Sequence, residues 1–408
     1  MDKSIALNTS SRNSSKTAKF FFNLLLLFIY PLFTIPYIIQ GLKNREKGAF
    51  VCLTLFMAML AFLIVPMEKE DLFRIYEGLE DFQGLTWEGR MLLLGSKMDF
   101  FLAWLYIAVD QFSLKKEWIP FVSVSIGYFS YLYIFYDWQK KNPSLQQKYI
   151  YIHLLVITLS LISFRSYALN IRNFVAISFL IMGVYQLYFK NEKRGWILIA
   201  LSPACHAMTA LVIPIVFLAR FNLPTKWCRM FFLISFVCFF VDVSGPINNY
   251  ASSFTFDNKE LNGRQGHFSD DDANAGLSTG AGYNMNGMIT LIYGYAVSVL
   301  VYLYMIKGKK KTSKIRNLVY LTMGFSNMLF YVSLLYGRYM MVAGAFFYLL
   351  LLWEYREPIE DSYQKKFIRI YPILVCISFF MSMYMTRESM EGCMRILYQP
   401  PFYFLFLS

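Results

Sequence analysis

Apolar runs of roughly 16–24 residues recur from about residue 19 to residue 385, many of them separated by short turns carrying Lys or Arg. A helix of about 20 residues crosses the hydrocarbon of a bilayer. Backbone groups inside that layer find no water, so only helices and closed barrels span it. A barrel strand would alternate apolar and polar residues over about ten positions, and these runs are continuously apolar. With 57% hydrophobic and only 16% charged residues, the chain is far from the roughly 45–50% apolar and 25% charged balance of soluble domains. An all-α, polytopic helical membrane protein is the expected fold.

The net charge of +13 would ordinarily raise nucleic acid as a partner. Here the cations sit in short runs between apolar segments, as the positive-inside rule produces, so the expected partner is the lipid bilayer and no nucleic acid. Five cysteines (Cys52, Cys205, Cys228, Cys238, Cys376) lie in apolar runs and Cys393 outside them. No CxxC or Cys/His spacing points to zinc, and neither a metal nor a cofactor is expected. Residues 1–18 form a Ser/Thr-rich polar tail, expected to be disordered. The apolar run after it has no small-residue cleavage site, so no cleaved signal peptide is expected.

The transmembrane domain is expected over 19–386, followed by an outer tail over 387–408. Pro31 and Pro36 kink or split the first run, and Lys43, Arg45 and Lys47 place the next turn in the cytoplasm. Residues 67–117 form an acidic, aromatic outer loop, ending in a short semi-apolar stretch with Asp110 that reads as an amphipathic interfacial helix. Spans at about 118–137, 149–164 and 174–189 follow, with Arg165 to Asn173 exposed outside. The run 195–219 has basic residues at both ends and Pro203 and His206 in its middle. One span would put basic turns on both faces. Two short limbs meeting near His206 keep both on the cytoplasmic face and leave His206 lining a cavity. A span at about 227–243, a long outer loop over 244–286 and a span at 287–306 lead to the cation-rich turn from Lys307 to Arg316. Two further spans flank a tight outer turn bearing Arg338, and a last span covers 367–385. The total is about twelve membrane-crossing segments with both termini outside.

Ionisable groups at membrane depth are costly and mark candidate sites. On this topology Asp71, Arg74, Tyr76, Arg165, Arg172 and Arg338 collect on the outer face, with His206 turned toward it. Arg165 and Arg172 are seven apart and share a face if the segment is helical. Guanidinium is permanently charged and forks onto phosphate oxygens, so an arginine cluster near the surface suits a diphosphate. The bland alternative is that each arginine snorkels at a helix end. The unperturbed pKa of an imidazole suits proton transfer, which makes His206 a candidate base; its alternative is a hydrogen bond to a carbonyl freed by Pro203. His153 reads as structural. His267 with Asp270, Asp271 and Asp272 offers hard ligands to a divalent cation, but a run of acids in a Gly/Asn/Ser-rich loop is more often solvated.

Several stretches resemble one family. DLFRIYEG from Asp71 resembles an acidic–aromatic stretch of the EpsG-like, Wzy-type polysaccharide polymerases, although this chain reads Glu70–Asp71–Leu72–Phe73 where that family usually has Gly–x–Asp–Tyr. The region with Arg172, Ala176, Ala200–Cys205, His206, Ala207 and Pro214 is similar to the family's most recognisable part, LLYGRYMM to its late arginine (Arg338), and QPPFYFLF to its closing segment. The resemblance implies a GT-C-like bundle in the bacterial inner membrane and a metal-independent glycosyltransferase. Its substrate would be oligosaccharide repeats on undecaprenyl diphosphate, joined into capsule, exopolysaccharide or O-antigen, with a chain-length regulator as a further partner. Under that resemblance Arg172 and Arg338 clamp the donor and Arg165 supports them, Arg74 and Tyr76 bind substrate, and His206 or Asp71 deprotonates the acceptor hydroxyl. An O-antigen ligase would share these residues. A lipid-linked oligosaccharide flippase would be expected to show repeated halves, and no such repeat is evident.

Overall fold

A computed structural model of the protein describes residues 17–68, 70–97, 99–142, 148–221, 223–241, 285–307, 313–357, 359, 361–385 and 387–407. The expected tail up to residue 16 and nearly all of the loop 244–286, with His267 and Asp270 to Asp272, lie outside the described residues. Among the described residues the chain is helical throughout, with no strand. Five helices are long and apolar enough to cross a membrane, and six shorter apolar helices of 10–17 residues accompany them.

The proline signals act where the backbone needs them. The first run divides into α1 (Thr17–Ile29) and α2 (Pro31–Lys43), with Pro31 at the opening of α2, where its missing N–H costs nothing. Next come α3 (Lys47–Phe62), α4 (Asp71–Glu80), α5 (Trp87–Ser96) and α6 (Phe100–Gln111). The 12 residues of α6 reach about 18 Å, short of a bilayer. The long helix α7 (Trp118–Lys141) leads to α8 (Lys148–Leu161) and the single-turn α9 (Phe164–Leu169). After α10 (Ile171–Phe189) the chain forms α11 (Gly195–Cys205), a 3₁₀ turn (Ala207–Leu211), α12 (Val212–Arg220) and α13 (Thr225–Ile234). The last helices are α14 (Met285–Lys307), α15 (Lys314–Met328), α16 (Ser333–Glu354) and α17 (Ser362–Met385).

At the centre stands α16, whose consecutive residues Phe346 to Leu352 are all 0% exposed. A helix apolar on every side is one with neighbours on every side, and α15, α10 and α8 pack against it.

The run 195–219 is a helical hairpin. A continuous helix would separate Trp196 from Phe217 by about 30 Å; instead their ring centroids are 6.1 Å apart. Arg220 donates to the Asn191 side chain at 2.5 Å, closing the same end. Gly195 at the start of α11 crosses Gly183 of α10 at very close range: a Cβ on Gly195 would lie 2.5 Å from the Gly183 carbonyl oxygen.

Four expectations are corrected. Residues 165–169 are no exposed loop: they belong to α9, and Tyr167, Ala168 and Leu169 are buried. A break at Asn170 (φ −114°, ψ 55°) separates α9 from α10, so seven-residue spacing does not align Arg165 with Arg172. Arg338 lies inside α16, because the turn falls earlier, over 329–332. Arg316, expected in a cytoplasmic turn, is 0% exposed and forms an ion pair with Glu354 at 2.8 Å.

Candidate functional site

Arg172 occupies the first turn of α10, where a cation opposes the helix dipole. Two carboxylates account for it. Its Nη2 donates to Asp71 Oδ1 at 2.6 Å and its Nη1 to Asp99 Oδ2 at 3.0 Å. Asp71 opens α4 and suits that helix's N-terminus. Its neighbour Glu70 is held by the Ser389 hydroxyl at 2.9 Å, so the segment after α17 fixes where α4 begins. Asp99 sits at the N-cap of α6, yet its side chain caps no backbone N–H. Its carboxylate is turned to Arg172 and to His206 Nδ1, 3.4 Å from Asp99 Oδ1.

His206 is the extended residue (φ −162°, ψ 121°) between α11 and the 3₁₀ turn. The break is internally satisfied. The Ile199 carbonyl, which Pro203 cannot serve, accepts from the Ser202 hydroxyl at 2.8 Å. The His206 carbonyl accepts from Thr209 Oγ1 at 3.0 Å. His206 therefore does not stabilise the proline break, and its ring is left for Asp99. Its Nε2 is buried with no hydrogen-bond partner among the described residues. On the third side, Tyr339 of α16 donates to the Met208 carbonyl at 2.9 Å and brings Arg338 close enough for its charge to act on His206.

Beside this cluster is a cavity of about 250 Å³ lined by Asp71, Arg74, Lys97, Asp99, Tyr106 and Arg172 among others. Arg74 is exposed and makes no ion pair among the described residues. Burial pushes the Tyr106 phenol well above its ordinary range. Two carboxylates face one guanidinium here, with the charge of Arg338 nearby. The arrangement combines cations that can receive an anion with an imidazole–carboxylate pair that can take a proton.

The structure thus brings together Asp71, Arg172, His206 and Arg338, with Arg74 at the cavity. It does not bring in Tyr76, which points away from this cavity and packs under the Lys116 ammonium, 4.9 Å from its ring centroid. Arg165 makes no hydrogen bond or ion pair among the described residues. His153 bonds the Tyr149 carbonyl at 2.5 Å within its own helix. Asp110 pairs with Arg90, tying α5 to α6. The residue that the sequence reading missed is Asp99. The signal available was an acid directly before an apolar helix, which reads equally well as a cap. Among the described residues no group of three or more His, Cys, Asp or Glu is placed to hold a metal ion.

No curated protein and no solved structure matches the chain. Residues 71–396, most of the chain and the whole of the cluster, match the EpsG family, and the protein belongs to that family.

Proposed function

We propose that this protein is a Wzy-type polymerase that joins undecaprenyl-diphosphate-linked oligosaccharide repeats into a surface polysaccharide at the outer face of a bacterial inner membrane. The observation that carries the reading is the convergence of Arg172, Asp71, Asp99, His206 and Arg338 at one end of the bundle, beside an open cavity, in a chain of the EpsG family. In this reading the chain crosses the membrane about twelve times, counting both limbs of the hairpin. The basic turns at Lys190–Arg194 and Arg220–Arg229 lie in the cytoplasm, which puts His206 on the outer side.

The chemistry needs no group that these residues lack. An acceptor sugar hydroxyl attacks the anomeric carbon of the donor repeat, and the bond from that carbon to the diphosphate oxygen breaks. Fixed positive charge stabilises the departing diphosphate. Arg338 and Arg74 serve it directly. Arg172 spends two of its five N–H donors on Asp71 and Asp99 and keeps three. The reading is tested by complementing a knockout with Arg172→Ala, Arg338→Ala or His206→Ala. Each variant should yield glycan of a single repeat at normal protein level. Full-length polymer from all three would refute the site, and lipid-linked units accumulating in the cytoplasmic leaflet would indicate a flippase instead.

A further inference from the structure

We infer that Asp99 is the positioning residue of this site: it holds His206 in the tautomer protonated on Nδ1, so that Nε2 receives the proton of the acceptor hydroxyl. The inference rests on the polymerase reading for the identity of that hydroxyl, but the tautomer stands on geometry alone.

Asp99 leads α6 from a position where an aspartate ordinarily accepts from the second or third helical N–H, worth about 1 kcal/mol. Here the side chain makes no such bond. It is only 6% exposed, and a buried carboxylate persists when it is paired and hydrogen-bonded. Oδ2 is held by Arg172, a permanent cation. An ionised carboxylate has no proton to donate, so in the contact between Oδ1 and His206 Nδ1 the ring nitrogen is the donor. That leaves the lone pair on Nε2.

Nε2 is buried and unpartnered among the described residues. A native structure seldom leaves a buried acceptor unpaired, and such an atom marks the place of a group still to arrive. Asp99, from the head of α6, contacts the ring, and Arg172 of α10 and Arg338 of α16 lie near enough for their charges to act on it. Asp99 is the only carboxylate among them. Asp71, the other acid of the cluster, accepts from Arg172 and makes no hydrogen bond to the imidazole among the described residues. With Asp71 engaged by a permanent cation and Nε2 unengaged, His206 is the base in this proposal. In the step itself the hydroxyl oxygen bonds to the anomeric carbon, the diphosphate oxygen leaves with the electron pair, and the hydroxyl proton moves to Nε2. The resulting imidazolium keeps its Nδ1–H on Asp99. An orienting carboxylate behind a histidine base serves in this way in acyl-transfer triads.

The test uses the full-length protein with ¹⁵N-labelled histidine in nanodiscs. The chain has three histidines, so His206 is assigned by the signals lost in His206→Ala. Wild-type protein should show a protonated Nδ1 and an unprotonated Nε2 at neutral to alkaline pH, and Asp99→Asn should shift the ring toward the other tautomer. A wild-type His206 protonated on Nε2 overturns the inference, and this measurement needs no variant at the Asp99 position. The second arm measures polymer formation by native membranes supplied with lipid-linked repeats extracted from the knockout. Asp99→Asn should lower the rate by about 10²- to 10⁴-fold. Added to His206→Ala, it should cost less than about 2-fold further, since it acts through a ring no longer present. Fully additive losses overturn the positioning role. The expected tautomer together with no polymer from wild-type membranes would overturn the polymerase reading and leave the Asp99–His206 pairing in place.

Discussion

The crossing of α10 and α11 offers a quantitative test of what sets the site's geometry. Gly183 and Gly195 meet there. Arg172 lies 11 residues before Gly183 and His206 lies 11 residues after Gly195, so each group stands about 16 Å from the crossing, at the same end. In Gly195→Ala the new Cβ would lie 2.5 Å from the Gly183 carbonyl oxygen, against about 3.4 Å for an ordinary contact. Backbone cannot rotate aside, so the helices must part by about 0.9 Å. Overpacking of this kind costs about 1–3 kcal/mol, offset in part by the roughly 1 kcal/mol that alanine gains over glycine in a helix. His206 Nδ1 already stands 3.4 Å from Asp99; a shift of half that separation carries it beyond hydrogen-bonding distance. Misplacement near 1 Å can cost about 10²-fold in rate. Gly344 of α16 is the control, because a Cβ there meets nothing within 4 Å. Gly344→Ala should be neutral or stabilising by about 0.5–1 kcal/mol. The assays are thermal unfolding of detergent-purified protein and glycan chain length in the complemented knockout. If Gly195→Ala unfolds no earlier than Gly344→Ala and makes polymer of normal length, the close crossing does not set the site.

Removing one member of the buried Arg316–Glu354 pair should cost about 3–5 kcal/mol, because the other charge is left uncompensated. Arg316→Met combined with Glu354→Leu should recover most of that loss in thermal unfolding, and a double variant no more stable than either single one would contradict it. Arg172→Lys should abolish polymer while the protein persists in the membrane, since one ammonium cannot reproduce the planar fork to Asp71 and Asp99; normal polymer would show that charge alone suffices. In a background with Cys238 and Cys376 replaced by serine, Lys193→Cys and Lys226→Cys should both resist an impermeant maleimide in intact cells while Arg74→Cys reacts. Labelling of only one of the two loop positions would reject the hairpin topology.

What could be read before the structure follows the range of each signal. Apolar run length is local, so the helical membrane class was evident. The basic turns on either side of 195–219 were enough to argue for a hairpin, because charge bias acts loop by loop. Arg172, His206 and Arg338 stood out because ionisable groups near apolar helices are conspicuous. Their partners did not. Asp99 contacts Arg172 across 73 residues and His206 across 107, and no local pattern announces such a meeting. Arg316 misled for the opposite reason. It ends a lysine-rich run of the sequence, and only the fold shows that one turn into α15 its side chain faces Glu354. Arg165 and Arg172 failed as a pair because a single non-helical residue, Asn170, resets the helical phase between them.

The order of the Arg172 contacts along the chain has a bearing on biogenesis. An arginine at the centre of a membrane-inserting helix costs about 2.5–3.5 kcal/mol on translocon scales, and Arg172, in the first turn of α10, bears a smaller part of that cost. Both of its carboxylates precede it, Asp71 by 101 residues and Asp99 by 73. At about 5–20 residues per second the nearer one has left the ribosome's decoding site roughly 4–15 s earlier. When α10 enters the bilayer its cation meets counter-charges already made, and Asp99 likewise precedes His206. Arg316 has the reverse timing, since Glu354 follows it by 38 residues. For the few seconds before α16 is made, α15 carries an uncompensated charge. That interval is where an insertase or chaperone would have most to do, and where a slowed ribosome would do most harm.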